Sequence, residues 1–77
     1  MKLHVILHSY LREKLPAEAR GEVNLEMPEG STVADVMANL GLPEQVVCAI
    51  NRQLERNRQK PLQEGDEVRF FRPGAGG

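Results

Sequence analysis

Pro28-Glu-Gly-Ser-Thr-Val-Ala-Asp-Val-Met-Ala-Asn-Leu-Gly-Leu-Pro43 is the stretch on which the fold turns. Pro28-Glu29-Gly30 is turn chemistry, and Ser31 or Thr32 offers a hydroxyl to cap the exposed amides of a helix start. Asp35 follows Thr32 at capping-box spacing, with Asp in place of the usual Glu, and sets negative charge at the positive end of the helix dipole. Val33, Val36, Met37 and Leu40 fall at i, i+3, i+4 and i+7, which makes one face apolar. Gly41 suits a C-cap and Pro43 blocks continuation. The spacing predicts one short, firmly bounded helix.

Upstream, Gly21 opens a stretch in which Val23, Leu25 and Met27 alternate with Glu22, Asn24 and Glu26 until Pro28 ends it. Lys2 to Tyr10 alternates in the same way, Leu3, Val5 and Leu7 against His4, Ile6 and His8. The polar run Leu11 to Arg20, with Pro16 inside it, reads as a surface loop with some helical turn, so the two strands form an antiparallel hairpin. Downstream, Val46 to Asn51 is almost continuously apolar, the mark of a central strand. Arg52 to Lys60 is polar and basic, with Leu54 its only apolar member, and reads as a hairpin or irregular loop with room for one short edge strand. Leu62 anchors the chain, Glu64-Gly65-Asp66 turns it, and Glu67 to Arg72 is the last strand.

The order strand, strand, helix, strand, strand predicts an α+β fold of the β-grasp type. One main helix packs on a mixed sheet of four to five strands. A right-handed crossover through the helix would set the third strand parallel to a neighbour. Residues 1–73 form the domain and residues 74–77 a flexible tail, because Pro73-Gly74-Ala75-Gly76-Gly77 suits neither strand nor helix interior.

Composition bounds the function. A chain of 77 residues has room for one modest core, and 40% hydrophobic with 27% charged residues is ordinary for a globular domain. The net charge of −1 provides no global field for nucleic acid or an anionic membrane. No run approaches the ~20 apolar residues of a membrane helix, and no secretion signal is evident, so the expected location is cytoplasmic. His4 and His8 lie about 13 Å apart along a strand, too far to share a metal, and no Cys-x-x-Cys occurs, so no metal site is expected. Cys48 sits in an apolar strand without a flanking base and reads as a buried, inert thiol. Neither a phosphate loop nor a nucleophile elbow is present, which argues against an enzyme acting by itself.

What remains is the C-terminus. At ~7% glycine, two terminal glycines arise by chance in about 0.5% of chains, and here they follow Phe70-Phe71-Arg72-Pro73. A backbone without Cβ atoms can enter a channel closed to other residues, and Pro73 stiffens the exit from the sheet. An adenylating partner could turn the inert terminal carboxylate into an acyl-adenylate that a sulfur donor converts to a thiocarboxylate.

The segments Gly30-Ser-Thr-Val-Ala-Asp-Val36, Ala49-Ile-Asn51, Pro61-Leu-Gln-Glu-Gly-Asp-Glu-Val68 and Phe70-Phe-Arg-Pro-Gly-Ala-Gly-Gly77 resemble the ubiquitin-like sulfur carriers. That group includes the small subunit of molybdopterin synthase and the sulfur carrier of thiamine biosynthesis. The resemblance covers nearly the whole chain. It implies sulfur carried on Gly77, with no bound cofactor and ATP consumed by a ubiquitin-activating-type adenylating enzyme. A sulfur donor and an acceptor synthase are the other implied partners. The Phe-Phe-x-Pro-x-x-Gly-Gly ending is closer to the molybdopterin branch, although Gly74 stands where that branch commonly carries a larger apolar residue. Phe71, Arg72, Pro73, Gly74, Ala75 and Gly76 are the implied partner-binding residues.

Alternation adds Ile6. If Val68 and Phe70 face the core, Arg69 and Phe71 face outward beside Ile6 and His8, either as an exposed docking patch or with Phe71 packed on the rim of the sheet. The basic run Arg52, Arg56, Arg58 and Lys60 is either a solvated loop or a surface for an acidic partner. Three functions fit: a sulfur carrier, a protein modifier joined to lysines through Gly77, and an interaction module with an incidental tail.

Overall fold

The alternation read in the sequence is the alternation of burial in the computed structural model, which describes residues 1–74. Strand β1 (Lys2–Leu7) buries Leu3, Val5 and Leu7 and turns His4 and Ile6 the other way. Its partner β2 (Glu22–Glu26) half-buries Val23 and Leu25 and exposes Glu22, Asn24 and Glu26. β3 (Val47–Ile50), β4 (Gln53–Glu55) and β5 (Glu67–Phe71) complete a five-stranded sheet in the order β2-β1-β5-β3-β4.

Helix α1 (Val33–Leu40) is built as its sequence dictates. The Asp35 N–H donates to Thr32 Oγ1 (3.3 Å) and the Thr32 N–H to Asp35 Oδ2 (2.8 Å), closing a reciprocal capping box with Thr32, not Ser31, at the N-cap. Ser31 is buried instead, its hydroxyl donating to the Pro28 carbonyl (2.8 Å). Gly41 ends the helix at φ +69°, a left-handed cap that residues with a Cβ adopt reluctantly. Val33, Val36 and Met37 are buried, Leu40 half so, and they share one core with Leu3, Val5, Leu7, Val68 and Phe70. Phe70 is its largest fully buried side chain, and burying such a group is worth about 1.5–3 kcal/mol.

Three expectations change. β1 ends at Leu7, not Tyr10, because Ser9 takes φ +54° and starts a 3-10 turn (Ser9–Lys14) that sinks Leu11 into the core. The parallel pair is not made by the third strand: β5 runs parallel to β1, while β3 is antiparallel to both β4 and β5. β3 does point the same way as β2, as a crossover through a helix requires, but β1 and β5 lie between them. β3 is accordingly interior but not central, and the middle of the sheet is β5.

The basic segment also finds its place. Gln53–Glu55 is the short edge strand, reached by a tight turn in which Asn51 and Arg52 both have positive φ (+50° and +71°). Beyond it, the backbone carbonyls of Arg58 and Lys60 accept from the N–H groups of Ala34 (2.9 Å) and Val33 (3.2 Å). They satisfy first-turn donors that no helix can satisfy from within. Arg58 folds inward, its Nη2 donating to the carbonyls of Val46 and Glu44. This run is therefore a brace under the helix start, with part of its charge used internally.

Candidate functional site

β5 carries the chain from its turn to the rim of the sheet, so the residues read as functional gather at its C-terminal end. Phe71, its last residue, lies opposite Val47 on β3 and meets the His8 ring edge-on (centroids 5.8 Å apart, planes at 79°). It is half-buried: the ring packs on the rim and still leaves surface open. Ile6, also half-buried, lies beside Arg69 in the parallel register. Ile6, Phe71 and Val47 thus form an apolar strip around Arg69 on the face of the sheet away from the helix.

Cross-strand pairing adds a member that sequence reasoning passed over. Leu54 is opposite Ala49, itself opposite Arg69, so Leu54 extends the same face while remaining 64% exposed. A lone leucine in a polar segment was the available signal. Its face could not be assigned without the register.

Electrostatics on this face centre on Glu67. Arg69 Nε donates to Glu67 Oε1 (2.9 Å), and Arg52 approaches the same oxygen (3.7 Å). The bond from Arg69 holds the Glu67 carboxyl below the usual carboxylate range and raises the guanidinium in return. Arg69 Nη1 also lies 3.4 Å from His8 Nε2. A guanidinium has only donors, so in this contact Arg69 is the donating side. His4 is engaged elsewhere, with Glu22 (2.8 Å). Among the described residues no group of three or more His, Cys, Asp or Glu side chains could hold a metal ion. Burial pushes the Cys48 thiol up to about 11, partly offset by Arg58, so the nucleophilic thiolate is scarce near neutral pH.

Past Phe71, Arg72 places its guanidinium 5.9 Å from the centre of the Tyr10 ring. Pro73 and Gly74 are exposed, and among the described residues no atom beyond its chain neighbours lies within 4 Å of where a Cβ on Gly74 would stand. Ala75, Gly76 and Gly77, the remainder of the implied partner-binding tail and its reactive end, lie outside the described residues.

A five-stranded mixed sheet with one main helix and a last strand leading to the C-terminus defines the β-grasp, ubiquitin-like class. The profile of the ThiS family matches residues 9–77. The chain belongs to this family, the ubiquitin-like sulfur carriers its sequence resembles. Among solved structures, small archaeal modifier protein 1 from Haloferax volcanii is similar at TM-score 0.74 and 20% identity, each chain covered over 100% of its length. A proposed molybdopterin converting factor subunit 1 from Pyrococcus furiosus superposes at TM-score 0.75 and 24% identity, over 95% of this chain and 98% of that one. A chain from the complex of subunits 1 and 2 of molybdopterin-converting factor from Helicobacter pylori matches at TM-score 0.69 and 20% identity, over 100% of both. No curated protein sequence matches significantly.

Proposed function

We propose that the protein is a sulfur carrier whose working group is the carboxylate of Gly77. The observation that carries this reading is the family match running unbroken to Gly77, on a fold whose final strand leads outward to an exposed Pro73 and Gly74. A carboxylate oxygen of Gly77 attacks the α-phosphorus of ATP in an adenylating enzyme of the ubiquitin-activating type, and pyrophosphate leaves. Sulfide-level sulfur, hydrosulfide in the simplest case, then attacks the acyl carbon and AMP departs with the activated oxygen, so that one oxygen of Gly77 is replaced by sulfur without any redox change. The folded body is a handle: Ile6, Phe71 and Arg72 supply binding energy remote from the reacting atom, and the small residues Gly74, Ala75 and Gly76 enter the partner's channel. Catalysis resides in the partners, and the chain is their co-substrate without a bound cofactor.

The acceptor we favour is a synthase that the chain serves as the small subunit of molybdopterin synthase, with a thiamine-type or other pathway as the alternative. The Phe70-Phe71-Arg72-Pro73 ending supports it, as do two structural neighbours named for molybdopterin converting factor, one of them solved with its second subunit. No helix among the described residues is long and apolar enough to cross a membrane, in keeping with a cytoplasmic carrier. Incubation with an adenylating enzyme of this type, ATP and a sulfur donor should raise the intact mass by one oxygen-to-sulfur exchange. The form lacking Gly77 should not gain that mass, and an equal gain in it would refute the reading.

A second reading has its own support in the likeness to small archaeal modifier protein 1: conjugation of Gly77 to lysines of other proteins. High-mass adducts in cells that disappear when Gly77 is removed would establish it.

A further inference from the structure

Tyr10 lies outside the core, as Phe71 does, and is the more exposed of the two rings. It is 47% exposed, whereas its neighbour Leu11 is fully buried, and Leu11 pins the 3-10 turn that presents Tyr10 at the surface. Ser9, at φ +54°, bends the chain out of β1 to make that presentation possible. The turn is registered on β5 by the backbone, because the His8 N–H donates to the Phe70 carbonyl (3.0 Å) immediately before Phe71 and Arg72. The backbone of the turn that carries Tyr10 is therefore placed beside the end of β5, and the Arg72 guanidinium lies within cation–π range of the ring at 5.9 Å.

We propose that Tyr10 is a positioning residue that holds the root of the C-terminal tail by anchoring Arg72. Pro73, with its ring-locked φ, transmits that anchor to Gly74, so the chain reaches Gly74 in a restricted direction. The inference rests on the sulfur-carrier reading in one respect only, that a partner must receive the tail end-on. A tail already aimed raises the fraction of molecules competent to enter such a channel, and apparent affinity scales with that fraction. Phe71 on His8 and Arg72 on Tyr10 are successive residues held by the same corner of the molecule.

The test compares the full-length carrier with Tyr10→Ala and Tyr10→Phe, the second keeping the π face. Backbone 15N relaxation of Gly74 in the free protein should show restricted motion in the wild type and in Tyr10→Phe, and freer motion in Tyr10→Ala. Arg72→Ala should reproduce the Ala result and serves if Tyr10→Ala folds poorly. In adenylation by the activating enzyme, Tyr10→Ala should raise KM for the carrier about two- to fivefold, the scale of an exposed cation–π contact, with kcat unchanged and Tyr10→Phe near wild type. Unaltered Gly74 relaxation in Tyr10→Ala and Arg72→Ala overturns the proposal, and a KM effect without a relaxation effect overturns it too, assigning Tyr10 to direct partner contact. A wild-type carrier that is never adenylated would sink the functional reading, while the relaxation comparison still decides the role of Tyr10.

Discussion

The two ends of β5 are held by different means. At its start, the Asn51 side chain donates from Nδ2 to Asp66 Oδ1 (3.0 Å) and accepts from the Glu67 N–H (3.0 Å). The Asn51 N–H reaches the Glu67 carbonyl (2.8 Å), Asp66 Oδ2 accepts from the Gln63 N–H (2.9 Å), and the Asp66 carbonyl accepts from the His4 N–H (2.9 Å). At its finish, beyond the His8–Phe70 bond and the pairing of Phe71 with Val47 on β3, the chain rests on ring contacts, His8 with Phe71 and Tyr10 with Arg72. Directional bonds fix the register of the central strand at one end. Soft contacts at the other guide the chain outward to the exposed Pro73 and Gly74.

Cutting at the middle should have the largest effect. Phe70→Ala removes the core contact both ends depend on and should cost about 3–5 kcal/mol in urea unfolding. Next, the held end should be the more sensitive to truncation. Asn51→Ala loses two side-chain hydrogen bonds and leaves alanine at φ +50°, for about 2 kcal/mol. Phe71→Ser at the soft end should cost under about 1 kcal/mol of stability yet weaken partner binding about tenfold or more, measured by calorimetry. Equal stability losses at the two positions would erase the contrast. Smaller still, Arg52→Gly should stabilise the turn by about 0.5–1 kcal/mol, since φ +71° suits glycine, and raise Tm by a few degrees.

The smallest effect is a pH dependence at Glu67. Its folded-state pKa lies below the ordinary 4.5, chiefly through the hydrogen bond from Arg69, so its contribution is present above that value and is lost as pH falls through the folded pKa. Wild type and Glu67→Gln should differ more in denaturant midpoint at pH 6 than at pH 3. A difference that grows on acidification would mean the Arg69–Glu67 bond stabilises nothing.

Much of this was legible in the chain. The period-two runs on β1 and β2 and the period-3.6 stripe on α1 each depend on neighbours a few residues away, and each buried the face it predicted. The capping box was legible for the same reason, although Ser31 and Thr32 stayed equivalent until the buried hydroxyl of one and the cap geometry of the other separated them. The strand reaching to Tyr10 was misread because β1 and the 3-10 turn share apolar residues at odd spacing, and the break is a single left-handed Ser9. Leu54 and Tyr10 were missed as surface features because each matters only through a partner strand distant in sequence.

The sequence by itself determined which segments are strands and helix and which residues face inward, because these follow from local periodicity and capping chemistry. Only the tertiary structure decided that β5 occupies the middle beside β1, that the Arg58 and Lys60 carbonyls brace the helix start, and that Arg72 lies over Tyr10. Those outcomes depend on register and adjacency between segments far apart along the chain, which are settled by how the whole sheet shares one core.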